Sequence, residues 1–304
     1  MNSKLSFLPI ILTMFFVSCL ESDEIQEPNP TPILKDSVLH IPVIIHVVNY
    51  SPQPFEISDE KIRSQFEVLN EDFRMKNADT VNIPSNFKHL AADLKIEFHL
   101  ATVDPNGEPT TGIVRNTSEI SGWDGNSDLP KEEAHLYFSE RGGQAAWPRD
   151  RYLNIWIANL SDRKGRMGLA GFANGPEAPE WKDGVVIDPR VFGTLPPLEH
   201  PQIHGRTATH EIGHWLGLIH IFGRDENCEE GDEVDDTPTA YAQYRGKPTH
   251  PQSSCGSDDM FMNFMDYVDD DMMCLFTKGQ KNRVYEFFEE EGARRDLYLN
   301  LVKN

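Results

Sequence analysis

The sequence predicts an α+β fold, a β-sheet flanked by helices, and three stretches carry that prediction. Residues 38–48 (VLHIPVIIHVV) are almost continuously apolar and β-branched, as in a strand buried on both faces. Ile62, Phe66, Leu69 and Phe73 recur at helical spacing behind Ser58, which stands where a cap belongs, so this helix should lie lengthwise on the sheet. Residues 210–220 (HEIGHWLGLIH) place two histidines one helical turn apart and then break at a glycine.

Taken in order, residues 1–19 lie outside the fold. Lys4 gives a positive start, and Leu8 to Val17 is an apolar run of signal-peptide length, too short for a permanent anchor. It ends at Val17-Ser18-Cys19, which resembles a bacterial lipobox in which Cys19 becomes the lipidated N-terminus; an ordinary secretory peptide is the alternative, and either one exports the chain. Residues 20–36, rich in Glu, Asp and Pro, read as a solvated tether. That leaves 37–304 as one domain, or as two tightly joined lobes divided near residue 217.

Within the domain, Ile96, Phe98 and Leu100 alternate with Glu97 and His99 as a half-buried strand running toward a turn at Asp104-Pro105-Asn106-Gly107, and His99 falls on its surface side. Residues 116–150 carry no clear period. Leu153, Ile155 and Ile157 alternate with Asn154 and Trp156 as a further strand; Gly168 to Gly175 reads as flexible loop, and Gly184 to Ile187 as a last short strand. His200 and His204 lack motif spacing and read as loop histidines. Thr277 and Gln280 form a capping box that opens a final helix whose Val284, Phe287 and Phe288 face the core.

The formal net charge of −21 argues against nucleic acid, which needs a basic face. It favours cationic substrates or divalent cations, although solubility alone accounts for it. The chain contains no internal repeat.

The chemistry is concentrated in residues 210–220. His210 and His214 share one helix face and can grip one ion through two imidazoles, while Glu211 points off that face and reaches water beside the metal better than the metal itself. A third ligand has to arrive from another direction. Gly217 tolerates the left-handed conformation that ends helices, so the chain can turn there and bring His220 back. Three neutral imidazoles leave a fourth position open, the mark of a catalytic zinc site rather than a structural one. Ile212, Trp215, Leu216 and Ile219 bury the helix.

His-Glu-x-x-His-x-x-Gly-x-x-His resembles the signature of the metzincin zinc endopeptidases, with a Met-turn candidate at Asn263-Phe264-Met265-Asp266-Tyr267. Together with His-Trp-Leu-Gly-Leu and the later Asp-Asp-Thr-Pro, the chain resembles the pappalysin family, in particular its short microbial members, over roughly residues 38–290. The resemblance implies a twisted mixed sheet with a backing helix, an active-site helix above a cleft, an edge strand that holds an extended peptide, and an irregular lower lobe with the Met-turn and a C-terminal helix. It implies that Met265 is an apolar floor under the zinc ligands and that Tyr267 stabilises an oxyanion. It also implies that Asp271 lines the S1′ pocket and selects Arg or Lys. For the acidic run from Asp225 to Asp236, either solvated or neutralised by calcium, it implies a calcium site at Asp232, the carbonyl of Val234, and Thr237. It supports a Cys228–Cys255 bridge, worth roughly 3 kcal/mol by chain entropy. The second bridge of its relatives is missing, which leaves Cys274 as a buried free thiol. The expectation is a monomeric peptidase acting on peptides or proteins, touching membrane only through its N-terminal lipid. A partner-binding surface lipoprotein on the same scaffold, and a zinc amidase, remain as alternatives.

Overall fold

The computed structural model describes residues 36–303 apart from 126–127, 162–167, 199–202 and 225–226. The expected leader, Cys19 and nearly all of the tether lie outside the described residues, as does His200. In chain order the elements are β1 (Leu39–Tyr50), α1 (Asp59–Asp72), β2 (Ile96–Leu100), β3 (Ile113–Ser118), β4 (Trp123–Asp124), β5 (Leu153–Ile157), β6 (Leu160–Ser161), β7 (Gly171–Asn174), β8 (Gly184–Ile187), α2 (Arg206–Trp215), β9 (Arg245–Gly246), β10 (Ser253–Ser254), β11 (Ser257–Asp258), β12 (Tyr267–Val268), α3 (Lys278–Glu286) and α4 (Arg295–Lys303).

The long strand β1 is the spine of a six-stranded mixed sheet. One edge of β1 pairs in parallel first with β2 (Leu39↔Ile96) and then with β3 (Ile45↔Ile113), while β5 takes the other edge (Ile45↔Ile155). The order continues through β8, parallel to β5, to β7, which is antiparallel to β8 and ends the sheet. Gly168 to Gly175 is therefore not all loop: its second half is this edge strand. A run of four residues, Gly171-Phe172-Ala173-Asn174, carries no readable period of its own, and its register comes from β8.

One face of the sheet is covered by helices. Ser58 Oγ accepts from Lys61 N at 3.1 Å and starts α1, whose Ile62, Phe66 and Leu69, with Phe73 just past its end, enter the main core with Ile41, Val43, Ile45, Ile155 and Ile187. Helix α2 joins the same core through Ala208, Ile212 and Trp215. The capping box is present at the start of α3, where Thr277 and Gln280 exchange side-chain and backbone hydrogen bonds, and Val284 and Phe288 are buried behind it.

The other face explains the segment without a period. Residues 119–125 and 128–150 cover it: Asn116 Nδ2 donates to Gly143 O, Trp156 Nε1 to Gln144 O at 2.8 Å, and Trp147 N to Asn154 Oδ1 at 2.7 Å. Trp123, Leu136 and Tyr137 pack there on Val48, Trp156 and Val186. Strand β5 is consequently buried on both faces, its polar Asn154 included.

His46 sits inside this second layer, fully buried, stacked on Trp156 and bonded through Nε2 to Asn154 Oδ1 at 3.0 Å. Burial pulls its pKa down to about 4. An unfolded imidazole titrates near 6.5, so the fold favours the neutral ring: this contribution is complete above pH 6.5 and lost as pH falls through 4. The wild type should therefore lose about 2–3 kcal/mol relative to His46→Gln between pH 6.5 and 4, measured by denaturant unfolding at each pH. Parallel pH curves for the two proteins would refute the assignment.

Candidate active site

Helix α2 ends as the glycine required. Gly217 has φ +94°, its N–H bonds His214 O at 2.9 Å, and Leu218 N bonds Gly213 O at 3.0 Å, which closes a Schellman turn. The space at Gly217 is also filled: a Cβ there would fall 1.9 Å from the Phe287 ring. The reversal brings His220 back over the helix. The three Nε2 atoms of His210, His214 and His220 then stand 3.0–3.2 Å apart. Each ring is fixed from behind. His210 Nδ1 donates to Phe264 O at 2.7 Å and His214 Nδ1 to Leu218 O at 2.8 Å, while His220 stacks on Phe222. With the Nδ1 protons so placed, the inward Nε2 atoms of His210 and His214 carry lone pairs. Burial and mutual repulsion push His210 well below the usual imidazole range, and burial first, then His214, pull His220 down to about 3.

These donors fit a metal. Three ligands about 2.0–2.1 Å from one tetrahedral zinc must lie roughly 3.3 Å apart, close to the spacing found, and three neutral imidazoles facing one another have no other cation to satisfy them. Among the described residues this is the one His/Cys/Asp/Glu cluster with metal-binding spacing.

Glu211 lies beside the triad, nearly buried, and burial raises its carboxyl to about 8. Gly171 of β7 faces it so closely that a Cβ would meet Glu211 Cγ at 3.1 Å. Met265 is fully buried under the helix, where a Cβ on Gly213 would strike its Sδ at 2.5 Å, and Tyr267 packs edge-on to His220 at 4.7 Å between ring centroids. Arg245, paired in register with Tyr267 across β9–β12, covers that ring at 5.3 Å.

A cleft runs along β7 on both sides of the histidines. Toward its start, a cavity of about 340 Å³ is lined by Gly168–Gly171, His210, Glu211, Tyr267, Asp270 and Met273. Toward its end, a cavity of about 620 Å³ is lined by Ala173–Pro179, His214, Leu218 and Arg283. Among the described residues no strand pairs with the outer edge of β7.

The half-exposed carboxylate of Asp271 pairs with Lys247, and its buried neighbour Asp270 is the aspartate of the run that lines the first cavity. Three consecutive aspartates cannot be told apart by composition, and the 3₁₀ turn Asp270–Met272 points each in a different direction. Asp232, Val234 and Thr237 do come together: Thr237 Oγ1 donates to Asp232 Oδ1 and lies 2.9 Å from Val234 O, while buried Asp232 Oδ2 has no partner. Cys228 and Cys255 form a disulfide, and Cys274 is a buried free thiol.

Two buried ion clusters that no spacing announced hold the helix. At its end, Arg294 Nη1 donates to both carboxylate oxygens of Asp183 at 2.6 and 2.8 Å, the guanidinium lies 4.0 Å over the Trp215 ring and its Nη2 donates to Trp215 O; Trp215 Nε1 donates to the same Asp183. At its start, Arg206 meets Asp72 and Asp79, and Asp72, raised by burial to about 6, also accepts from Thr209.

Residues 139–289 match the peptidase M43 family model, described as pregnancy-associated plasma protein-A. Mature mirolysin of Tannerella forsythia, solved with a cleaved peptide, is 43% identical and superposes with a TM-score of 0.78, covering 88% of this chain and 98% of that one. The chain belongs to the peptidase M43, or pappalysin, family. An extracellular metalloprotease 1 from Coccidioides posadasii is 30% identical over 83% of this chain and 78% of its own length. An extracellular metalloprotease from Arthroderma benhamiae is 40% identical over 43% of this chain and 49% of its own, so the match spans about half the length of that relative. The fold is accordingly the mixed-sheet metzincin type, and the pappalysin signature occupies the structural positions just described.

Because Gly217 is both left-handed and filled by Phe287, Gly217→Ala should cost at least about 2 kcal/mol and weaken metal retention, since His220 depends on that turn. Denaturant unfolding and zinc titration check both; a variant with wild-type stability and metal affinity would contradict the role given to the turn.

Proposed function

We propose that this chain is an exported, monomeric, zinc-dependent endopeptidase. The observation that carries the reading is the convergence of three imidazole Nε2 atoms beside a buried carboxyl at the centre of a cleft. Zinc held by His210, His214 and His220 would act as a Lewis acid that polarises a peptide carbonyl and brings water near neutrality in acidity. Glu211, the carboxyl beside the three histidines, takes the proton from the attacking water and returns it to the leaving amine. Tyr267 donates its phenolic hydrogen to the oxygen that gains charge. The outer edge of β7 binds the substrate backbone as an added strand, which recognises extended peptide regardless of side chains. The cleaved peptide bound by mirolysin supports the same use of this cleft.

A preference for Arg or Lys after the scissile bond is assigned to the aspartate run beside the first cavity, where the family resemblance points to Asp271 and Asp270 is the residue that lines the cavity with Tyr267 and Glu211. A calcium ion at Asp232, Val234 O and Thr237 is supported by the donor set. A buried carboxylate oxygen without a partner, beside a carbonyl and a hydroxyl, is what a hard cation neutralises, and without one burial raises Asp232 to about 7. Export is supported by the extracellular names of the relatives. Lipid attachment at Cys19 rests on the leader sequence alone.

Glu211→Ala should keep zinc, measured by elemental analysis, while hydrolysis of a quenched peptide falls by about a thousandfold; cleavage at the wild-type rate would remove the assigned base. In zinc-containing buffer, removing calcium by dialysis against calcium-free buffer should lower the melting temperature by about 5 °C, and Asp232→Ala should abolish that sensitivity. Equal melting curves with and without added calcium would exclude the calcium site.

A further inference from the structure

Two consecutive carbonyls hold both ends of the histidine cluster. Phe264 O accepts from His210 Nδ1 at 2.7 Å, and Met265 O accepts from the N–H of Ile221, the residue after His220, at 3.3 Å. Both carbonyls belong to one turn, closed by Asp266 N on Asn263 O at 3.1 Å. Asn263 also shapes that turn from inside, since its Oδ1 accepts from Met265 N at 2.9 Å in an Asx-turn. The Asn263 side chain is gripped in its turn by Gln280 of α3. Asn263 Nδ2 donates to Gln280 Oε1 at 2.9 Å, and Gln280 Nε2 donates back to Asn263 Oδ1 at 3.0 Å. Gln280 is fixed as well, because its Oε1 also accepts from Thr277 N at 2.9 Å in the capping box. Both amides are fully buried.

A buried hydrogen-bonded pair gains little net stability over apolar residues of the same shape. What two opposed amide bonds add is direction: neither side chain can rotate without breaking both. We propose that Asn263 and Gln280 are positioning residues of the histidine cluster, which act through the turn to aim the Phe264 carbonyl at His210 and the Met265 carbonyl at the segment that carries His220. The hydrogen-bond path is independent of the function proposed above, and its consequence for zinc rests on that function.

The test uses the full zinc-loaded chain and Gln280→Met, which keeps the length of the side chain and removes the amide bonds. Zinc affinity, read by competition with a chelating dye, should fall about tenfold, and kcat on a quenched peptide should fall by a similar factor with KM unchanged. With histidine labelled in nitrogen-15, the His210 ring N–H should exchange with D2O about tenfold faster. The His214 ring N–H, held by Leu218 O instead, should keep its rate, whereas a general loosening would speed both. If Gln280→Met does not fold, Gln280→Asn decides by the same measurements, its shorter amide being drawn back from Asn263. Wild-type zinc affinity with wild-type His210 exchange in the variant, or equal acceleration of both ring N–H groups, overturns the positioning role. The exchange measurement is repeated on the metal-free chain, so that a wild type that takes no zinc defeats the function while the His210 rate still decides the path through Gln280.

Discussion

Three uncharged nitrogens pointing at one another across about 3 Å gain nothing from that arrangement unless a cation lies between them, and most of the molecule serves to impose it. The helix supplies two of the rings at a spacing that its own hydrogen bonds fix. The Schellman turn at Gly217 supplies the third, and Phe287, seated where any side chain would go, keeps the turn from opening. Behind the rings, carbonyls of Phe264 and Leu218 hold the Nδ1 protons, so the orientation of two imidazoles is set by main chain from separate loops.

The means of holding the helix are ionic at both ends. Arg294 with Asp183 and Arg206 with Asp72 are nearly excluded from solvent, and pairs so placed stabilise little on balance against hydrophobic replacements. What they do supply is direction. Each guanidinium is forked or multiply bonded, and each meets backbone as well as carboxylate, so the helix is held against rotation as well as against separation. In Asp183 the indole N–H of Trp215 and the guanidinium of Arg294 share one acceptor, which fixes the end of the helix to the segment before β8 and to the start of α4.

The chain announced its histidine cluster better than its surroundings. The spacing of the three histidines, the glutamate beside them, the glycine turn, the capping box at Thr277 and the pairing of Cys228 with Cys255 are local, or follow from a family pattern. What escaped is non-local. Residues 119–125 and 128–150 have no period because they cover a sheet face with turns held by single bonds to distant backbone, such as Trp156 to Gln144. Strand β7 is a strand only because β8 lies beside it. The clamps at Asp183 and Asp72 join residues more than a hundred positions apart, and nothing in their flanking sequence distinguishes them from surface acids. The aspartate run shows the same limit: three like residues in a row acquire different surroundings, Asp270 buried and Asp271 on Lys247, only when the 3₁₀ turn forms.

The rim of β7, unpaired among the described residues, carries a kinetic consequence if it binds substrate as proposed. A rim that recognised main chain would accept only a segment already drawn out of its own helices and sheets, and folded proteins expose such segments at termini, loop tips and transient local openings. Turnover of a globular substrate would then track how often that substrate frays, whatever the strength of the chemistry waiting at the histidines.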